Sequence, residues 1–542
     1  MPETTPRPKP PNFLEIHAGN YPDKLAVIGP ERSLTYGELR ERSKALAKRL
    51  FQLGLRPGDQ AAVMTYNLPE YSEIANALFY LQAGLVMVGY RMKPPEIEYI
   101  VDNSDSRILF FWHEFAERIL PYKDSYEKVV PKGFISFGGK VEGALYYEDL
   151  IPNPPELDLD NLPQPEEVGR SMIYTSGTTG RPKGAARRTD VTSKPEVIEY
   201  LFKALAFTRM GPDEVHLVCC PLYHSAPSFF NIITFILGGT AIFMPRFDPE
   251  EFLALVARHQ VTSTHLVPTM VARLLQVPEA VTRRLDLSSL RSVICGAAPL
   301  FPEYKLAFLN RFGDCLYEYY GSTETAVNTF ITPQEMRERP SSVGRAFADN
   351  ELKIFDPLGN EVPDGQRGIL YMHNALLIEG YYKNPKATIE TFRGKYMTVG
   401  DVAVRDQEGY YYIVDRVKDM IIRGGVNIYP AEVEEVLIGM AGLADVAVVG
   451  KPDPEFGETV AAFIVREPEG TTSEEDIRAY CAARMQNHKI PSVIIFIDEI
   501  PRTPTGKILK KDLREMLLSD WPDSGTNRSG LPEVQTRSNP LT

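Results

Sequence analysis

The segment Tyr174–Gly184 (YTSGTTGRPKG) sets a run of Ser, Thr and Gly directly before a lysine. These small residues leave backbone N–H groups uncovered and add hydroxyls, so the loop can wrap phosphate oxygens as a nest of donors. Lys183 adds a positive charge beside it. The segment lacks Gly-Lys followed by Ser or Thr, which excludes a Walker-type P-loop here. Since a flexible surface turn has a similar composition, the loop alone indicates an anion site without identifying the anion.

Other segments offer further polar groups in a fixed order along the chain. Tyr319–Glu324 (YYGSTE) combines aromatic rings, hydroxyls and one carboxylate, and Thr398–Asp401 (TVGD) places a carboxylate at a tight turn. Asp415–Glu432 reads DRVKDMIIRGGVNIYPAE, and Pro501–Lys507 reads PRTPTGK. Carboxylates accept hydrogen bonds from paired hydroxyls or hold hard cations, and a lysine stabilises neighbouring anions. The set therefore predicts chemistry on a polyanionic ligand.

One histidine stands apart from the other seven, which show no metal-ligand or triad spacing. His224 lies in Pro221–Pro227 (PLYHSAP), directly after the apolar run Val215–Cys220. A single histidine at the end of a buried strand is often only a packed structural residue. The small and aromatic residues that follow it, Ser225–Phe230, also fit an uncharged pocket.

The elements that must position these residues alternate between the two periodicities of helices and strands. Thr35–Glu38 is a capping box that predicts a helix with Leu39, Leu46, Leu50 and Leu53 on one face, ending at Gly54. Strands are predicted at Val215–Cys220, Ala241–Met244, Ser292–Cys295 and Asp445–Val449, and helices at Pro249–His259 and Ser473–Met485. This alternation predicts layered α/β architecture.

A charged pentad, Asp415–Asp419, interrupts two apolar stretches and predicts the main domain boundary. We expect a flexible N-terminus at residues 1–12, a large domain of layered α/β subdomains at 13–414, a hinge at 415–419, a small mobile α+β domain at 420–518, and a disordered tail at 519–542.

Composition and charge narrow the class of protein. The 542 residues carry 59 Lys and Arg against 72 Asp and Glu, a formal net charge of −13, which argues against a nucleic-acid binder. Five cysteines without a CxxC pair predict neither a disulfide scaffold nor a zinc site. We find neither the apolar core of a signal peptide nor an apolar run of about 18 residues, so we expect a cytoplasmic protein. Peripheral membrane contact and a homodimer stay open.

The motifs resemble, in this order, those of the adenylate-forming superfamily, which contains acyl-CoA synthetases, adenylation domains of peptide synthetases and firefly-type luciferases. The resemblance runs from about Phe13 to Leu513 and is strongest to bacterial fatty-acyl-CoA synthetases. One departure is Val399, where the family often has Thr before the glycine and the ribose-binding carboxylate.

The resemblance implies a role for each matching residue. Glu324 would hold Mg²⁺, Thr323 the α-phosphate, Asp401 the ribose hydroxyls, and Lys507 would bridge the substrate carboxylate and α-phosphate. His224 would be a gate between the acyl pocket and the thiol tunnel, and Tyr320 would stack on adenine. The implied ATP or AMP contacts are Thr175, Ser176, Gly177, Thr178, Thr179, Gly180, Lys183, Gly296, Ala297, Ala298, Tyr319, Tyr320, Gly321, Ser322, Thr323, Asp401 and Arg416.

The implied reaction has two half-reactions, with ATP, Mg²⁺ and coenzyme A. A carboxylate attacks the α-phosphorus to give an acyl-adenylate and pyrophosphate, and the thiol of coenzyme A then displaces AMP. In the family the small domain rotates between the steps about a hinge residue, here Lys418, and brings in the loop of Gly424 and Gly425 for coenzyme A. This domain alternation also limits hydrolysis of the adenylate.

The class of acid is predicted from the expected acyl-pocket residues. Ser228, Phe229 and Val327 are the expected acyl-pocket residues, and their uncharged character favours a medium- or long-chain fatty acid, with an aryl or steroid-like carboxylate second. The alternatives are a stand-alone adenylation enzyme that loads a carrier-protein thiol, and a luciferase-like oxidase or β-lactone synthetase. A non-catalytic ATP-binding protein is disfavoured because Lys507, Glu324 and Asp401 are all present.

Overall fold

The computed structural model describes residues 10–165, 167, 169–175, 181–188, 194–468, 470–503 and 507–519. Their chain divides into two units between Lys418 and Asp419. The first unit holds the described residues up to Lys418 together with Lys507, and the second holds Asp419–Thr503 and the described residues from Ile508. The predictions for residues 1–9, Ser176–Gly180, 504–506 and 520–542 lie outside the described residues.

The N-terminal part of the first unit is built around a mainly parallel sheet of order β7-β6-β5-β3-β4-β8-β9, in which only β8 and β9 pair antiparallel among the described strands. Its elements, with two strands of the next sheet, are α1 (Phe13–Asn20), β1 (Leu25–Ile28), β2 (Ser33–Thr35), α2 (Tyr36–Gln52), β3 (Gln60–Met64), α3 (Pro69–Tyr80), β4 (Gly84–Val88), α4 (Pro94–Asn103), β5 (Ser106–Trp112), α5 (Ala116–Ile119), β6 (Phe134–Phe137), β7 (Leu145–Tyr146), β8 (Arg170–Thr175) and β9 (Lys183–Arg188).

Helix α2 forms as its sequence predicts. The Thr35 side chain accepts a hydrogen bond from the Glu38 N–H, and the Glu38 carboxylate accepts one from the Thr35 N–H, so the first turn is capped from both sides. Leu39, Leu46 and Leu50 are fully buried on one face. The helix stops before Gly54, whose φ of 106° suits glycine.

The second sheet, here called the central sheet, has the order β16-β15-β14-β13-β12-β10-β11-β1-β2. Strands β1, β11, β10, β12, β13 and β14 run parallel, so their carboxyl ends meet at one edge. Its elements are α6 (Pro195–Thr208), β10 (Val215–Val218), α7 (Ser225–Ile236), β11 (Thr240–Phe243), α8 (Pro249–His259), β12 (Ser263–Leu266), α9 (Pro268–Gln276), α10 (Glu279–Thr282), β13 (Ser292–Cys295), α11 (Pro302–Phe312), β14 (Leu316–Ser322), β15 (Ala326–Ile331), α12 (Pro333–Glu338) and β16 (Arg345–Ala346).

An antiparallel sheet completes the first unit, with order β19-β20-β18-β21-β22 and β17 paired to β18. Its elements are β17 (Glu351–Phe355), β18 (Gly368–His373), α13 (Pro385–Thr391), β19 (Phe392–Arg393), β20 (Tyr396–Met397), β21 (Asp401–Arg405) and β22 (Tyr411–Arg416). Strand β22 includes Asp415 and Arg416, so the first two residues of the predicted hinge pentad belong to a sheet ladder.

The second unit packs helices against a sheet of order β24-β23-β26-β25, with β27 parallel to β26. Its elements are β23 (Ile421–Arg423), β24 (Val426–Ile428), α14 (Pro430–Ile438), β25 (Leu443–Asp453), β26 (Gly457–Arg466), α15 (Glu474–Ala482), β27 (Val493–Phe496) and α16 (Lys510–Ser519). Together the units confirm the predicted α/β class with a larger first part and a smaller α+β part. No helix in the described ranges is long and apolar enough to cross a membrane.

Most predicted elements form, with shifted ends. The helix Pro249–His259 and the strand Ser292–Cys295 match their predicted bounds. The strand predicted at Val215–Cys220 ends at Val218. At this end the side-chain amide of Asn67 donates to the carbonyls of Val218 (3.2 Å) and Cys220 (3.0 Å), and the Val218 carbonyl also accepts the Met244 N–H.

Candidate active site

The carboxyl edge of the central sheet gathers candidate residues from separate motifs. His224 follows β10, Gly296 directly follows β13, and Tyr319 and Tyr320 lie in β14. In open α/β sheets this edge is where ligands bind, because the loops that leave parallel strands converge there. The topology thus brings together residues that lie far apart in the sequence.

His224 is the N-cap residue of α7, and its ring is buried against the Tyr223 ring with centroids 4.3 Å apart. Burial lowers the pKa of His224 to about 4, so the ring is neutral at physiological pH. Asn67 holds the preceding loop because its side-chain carbonyl accepts the Leu222 N–H at 3.1 Å. A neutral, fixed ring fits a gate better than a proton carrier.

The segment after β13 lies against a tyrosine ring. A Cβ atom at Gly296 would come within 2.4 Å of the Tyr319 ring, so any side chain there would displace that ring. Ala297 has a φ of 73°, which turns the chain sharply. Ala297 is exposed and Ala298 half-buried, so this segment offers a small, flat surface.

Tyr320, Asp401 and Arg416 form one hydrogen-bonded group. The Tyr320 hydroxyl donates to Asp401 Oδ2 at 2.6 Å, and Arg416 Nε donates to Asp401 Oδ1 at 2.8 Å. Asp401 begins β21 and pairs across the ladder with Arg416 at the end of β22. Burial, followed by the Asp401 charge, raises the pKa of Tyr320 well above its ordinary value, so the phenol stays protonated and remains a donor.

Glu324 is buried at the end of the β14–β15 hairpin and accepts two hydroxyl hydrogen bonds on one oxygen. Thr175 Oγ1 donates to Glu324 Oε1 at 3.0 Å and the Tyr381 hydroxyl does so at 3.1 Å. Among the described cations none forms an ion pair with this carboxylate. The second carboxylate oxygen of Glu324 accepts neither of these two hydroxyl hydrogen bonds.

Arg187 supports the same hairpin from β9. Its guanidinium donates to the Thr323 carbonyl at 2.6 Å and to the Leu376 carbonyl at 2.9 Å. Burial lowers the pKa of Arg187 to about 10, and Glu324 opposes that shift, so the group stays charged at neutral pH. The Thr323 hydroxyl lies 3.1 Å from the Ser225 hydroxyl at the start of α7. The loop of Thr323 is therefore tied to both neighbouring elements.

Strands β8 and β9 frame the Gly-rich motif. Thr175 and Lys183 face each other across the antiparallel pair, and the Lys183 ammonium lies 5.1 Å from the centre of the Tyr381 ring. Gly321 and Ser322 continue β14 toward Glu324. The ends of the predicted phosphate loop are thus beside Glu324, while Ser176–Gly180 lie outside the described residues.

The predicted acyl-pocket residues separate into two environments. Val327 is buried in a cluster with Phe230, Ile233 and Tyr319, and Phe229 packs against that cluster. Ser228 lies elsewhere, since its hydroxyl donates to the Leu222 carbonyl and bonds the Tyr71 hydroxyl at 3.1 Å. In the structure Ser228 therefore links α7 to α3 and to the loop before His224.

The remaining predicted residues lie at the unit boundary or in the C-terminal half of the chain. Lys418 is exposed at the end of the first unit, and Lys507 is half-buried. In the second unit Gly424 and Gly425 join β23 to β24 with φ values of 56° and 81°, a backbone that other residues adopt with strain. Both glycines are exposed.

Asn67, Arg187 and Tyr381 each position a predicted residue and are not themselves predicted from the sequence. Arg187 could have been found, because Lys183, Ala185 and Arg187 alternate along one strand face directly after the Gly-rich motif. Asn67 and Tyr381 carry no such local signal. They reach the site only because separate sheets pack together.

Comparison with known proteins identifies the family. The model of the AMP-binding enzyme family matches residues 14–382, and that of the AMP-binding enzyme C-terminal domain matches residues 432–507. The chain belongs to the AMP-binding enzyme family. The predicted adenylate-forming superfamily is thereby confirmed, as is the prediction of an enzyme.

Relatives of this chain carry names with different acids. A feruloyl-CoA synthase of Amycolatopsis sp is 33% identical over 506 residues, which cover 92% of this chain and 98% of that protein. The long-chain-fatty-acid–CoA ligase FadD13 of Mycobacterium tuberculosis is 30% identical over 524 residues, with 94% and 99% covered. The crystal structure of the anthranilate CoA ligase AuaEII in complex with anthranoyl-AMP has a TM-score of 0.84 and 26% identity, with 95% of this chain and 98% of that chain covered.

Proposed function

We propose that this enzyme joins a carboxylic acid to coenzyme A through an acyl-adenylate formed from ATP. The observation that carries the proposal is the group Tyr320–Asp401–Arg416 beside Thr323 and Glu324. It places a paired-acceptor carboxylate, an aromatic ring and a hairpin of hydroxyl groups close together, where the end of β14 in the central sheet meets the start of β21 in the antiparallel sheet. These are the groups that a ribose, a base and a phosphate chain require.

The first half-reaction converts a poor leaving group into a good one. A carboxylate would have to expel oxide, whereas an acyl-adenylate expels AMP. Asp401 would accept the ribose hydroxyls, Thr323 and the Gly-rich loop with Lys183 would donate to the phosphates, and Lys507 would reduce the repulsion between the carboxylate and the α-phosphate.

Glu324 fits the Mg²⁺ that accompanies ATP. One of its oxygens is free of the Thr175 and Tyr381 hydrogen bonds, and no described cation forms a direct ion pair with the carboxylate. Mg²⁺ is usually held by one or two carboxylates together with phosphate oxygens and water, and the described residues contain no cluster of three or more ligating side chains. When bound, the ion neutralises phosphate charge. Thr175 and Tyr381 would hold the carboxylate in place for it.

The second half-reaction requires room for a thiol beside the same carbonyl carbon. Lys418 is the proposed hinge, and the exposed pair Gly424 and Gly425 is the proposed contact for pantetheine. The neutral His224 ring would gate the thiol path. Free coenzyme A is preferred to a carrier-protein thiol because the named relatives quoted above are CoA synthases or ligases.

For the acid we propose an aryl carboxylate, which the sequence analysis ranked second to a fatty acid. The supporting observation is a group of buried rings that includes Tyr319, the ring that lies against Gly296. Phe230, His265 and Tyr319 are all buried, with pairwise centroid distances of 5.5 to 6.3 Å. Rigid packed rings complement a planar acyl group.

An acid panel tests the proposed function directly. Pyrophosphate release and thioester formation would be measured for octanoate, dodecanoate, benzoate, cinnamate and phenylacetate, with and without coenzyme A. We expect thioester only with coenzyme A, and kcat/KM at least tenfold higher for one of the aryl acids than for either alkyl acid. A higher value for dodecanoate would restore the fatty-acid prediction. Pyrophosphate release without any coenzyme A thioester would point to another acceptor.

Replacing Asp401 by alanine should raise the KM for ATP about 10- to 100-fold with the fold intact. Each hydrogen-bond partner lost in a buried site costs about 1–3 kcal/mol, and about 1.4 kcal/mol corresponds to a factor of ten. Initial-rate kinetics and a thermal melt would measure both quantities.

Tyr320→Phe is the matched control because it removes the other half of the 2.6 Å hydrogen bond and keeps the carboxylate. Its KM for ATP should rise less than that of Asp401→Ala. Equal effects would mean that Asp401 acts only by holding Tyr320, and an unchanged KM in Asp401→Ala would remove this carboxylate from the nucleotide site.

A further inference from the structure

One strand at the carboxyl edge has no role in the site described so far. In the central sheet β12 lies between β10, which leads to His224, and β13, which leads to Gly296. Its next-to-last residue is His265. Because neighbouring parallel strands end side by side, His265 lies between these two candidate residues at the same edge.

The His265 side chain lies on the face of the sheet that carries the aromatic cluster. Across the ladder His265 pairs with Ile294, and Ile294 pairs with Tyr317. Residues paired in this way point to the same face. Ile294 and Tyr317 belong to the buried cluster that contains Phe230, Tyr319 and the predicted acyl-pocket residue Val327. His265 thus lies on the same face of the sheet as the buried cluster that contains the predicted acyl-pocket residue Val327.

The contacts of the His265 ring show that the Tyr319 ring lies between it and Gly296. His265 Nε2 lies 3.1 Å from the Tyr319 hydroxyl, and the Phe230 ring stacks on the imidazole with centroids 5.5 Å apart and planes at 21°. The same Tyr319 ring is the one that a Cβ at Gly296 would strike. Tyr319 therefore connects the segment after β13 to His265.

The other ring nitrogen of His265 has no partner. Nδ1 is buried and makes no hydrogen bond with any part of the chain that the structure describes. Burial, followed by the neighbouring His216 and His224, lowers the pKa of His265 to about 3, so the ring is neutral and offers one donor and one acceptor. A buried polar atom without a partner is costly and uncommon in native proteins.

A second histidine shows that this arrangement is not general in the sheet. His216 on β10 is equally buried and equally neutral, yet its Nδ1 bonds the Ser263 hydroxyl at 2.7 Å. Within the same sheet, a neighbouring strand thus supplies a partner to Nδ1 of His216. None of the described residues supplies one to Nδ1 of His265.

We propose that His265 Nδ1 hydrogen-bonds a polar substituent at the distal end of the acyl group, so that the enzyme selects ring-hydroxylated aryl carboxylates over unsubstituted ones. The inference rests on the proposed function and names its substrate class. A hydroxyl suits either tautomer of the ring. If the Tyr319 hydroxyl donates to Nε2, then Nδ1–H donates to the substrate, and in the other tautomer Nδ1 accepts from it. The stacked Phe230 ring fixes the imidazole plane in both cases.

The test compares cinnamate with its ortho-, meta- and para-hydroxylated forms in the full-length enzyme, by pyrophosphate release under kcat/KM conditions and by thioester formation. For one hydroxyl position we expect kcat/KM at least tenfold above that for cinnamate. In His265→Phe this ratio should fall to within about threefold of one. In the control His216→Gln, which alters a histidine that is satisfied inside the sheet, the ratio should remain that of the wild type.

The possible outcomes separate the role of His265 from the proposed acid class and the proposed thioester step. A wild-type ratio near one at all three positions, or a ratio that survives in His265→Phe, overturns the role of His265. If His265→Phe does not fold, as judged by its thermal melt, then His265→Gln decides, since its amide retains a donor and an acceptor and should keep a ratio above one. Failure of every aryl acid to give a thioester would instead refute the proposed aryl acid class or the proposed thioester step.

Discussion

Replacing Lys507 by alanine is expected to slow acyl-adenylate formation about 10²- to 10³-fold. Loss of one group that stabilises developing charge in a site shielded from water costs about that much. The same variant should convert a supplied acyl-adenylate and coenzyme A to thioester at a near-normal rate, because the proposed role of Lys507 ends once pyrophosphate has left. Single-turnover pyrophosphate release and thioester formation from synthetic adenylate would measure the two steps.

Lys511→Ala is the matched control for this experiment. Lys511 lies four residues along the chain in α16, where its exposed ammonium pairs with Glu515 at 3.6 Å. Both half-reactions should be unaffected in that variant. Loss of both half-reactions in Lys507→Ala, with a lowered melting temperature, would show that Lys507 has a structural role instead.

Lys418→Pro should leave acyl-adenylate formation near normal and slow the coenzyme A step at least tenfold. Lys418 is exposed and is the last residue of the first unit before the boundary. Proline fixes φ near −65° and removes the N–H, so a hinge that must change its torsions between steps would be held in one state. By resemblance to the family we expect that state to be the adenylating one. A rapid-quench experiment that follows the pyrophosphate burst and the thioester separates the two phases.

Lys418→Ala keeps the backbone freedom and removes only the side chain. It should therefore behave like the wild type in both phases. An unaffected proline variant would exclude torsional change at Lys418 from the mechanism, and parallel loss of both phases in the proline variant alone would indicate misfolding.

The fold could be predicted where local signals act alone. The capping box at Thr35 fixes the start of α2, and Asp248 before Pro249 caps α8 by accepting from Glu250 and Glu251. Element ends were less predictable. The backbone at the end of β10 is hydrogen-bonded by Asn67, which lies about 150 residues earlier in the sequence. No local pattern can report a side chain that arrives from another sheet.

The site was predictable to the same extent and for the same reason. Asp401, Glu324 and Tyr320 stand in motifs with a recognisable order, and the structure brings Tyr320 and Asp401 within hydrogen-bond distance. His265 carries no motif. Its proposed role follows from the strand order β13-β12-β10, which places it between two predicted residues, and from an unpartnered nitrogen that no sequence pattern reports. The motifs therefore predict the type of chemistry, whereas the proposed selectivity rests on how buried rings pack.

The end of β22 has a consequence for how the enzyme returns to its starting state. Arg416 is paired with Asp401, the Val417 N–H donates to the Gly400 carbonyl at 2.9 Å, and Lys418 follows at once. Ribose binding at Asp401 and rotation at Lys418 would thus act on the same few residues. Suppose that the two rotational states differ in nucleotide affinity by some factor. Thermodynamic linkage then requires that bound nucleotide shifts the equilibrium between those states by the same factor. If Lys418 is the hinge, departure of AMP would favour the return of the backbone to its starting state, with no separate signal between turnovers.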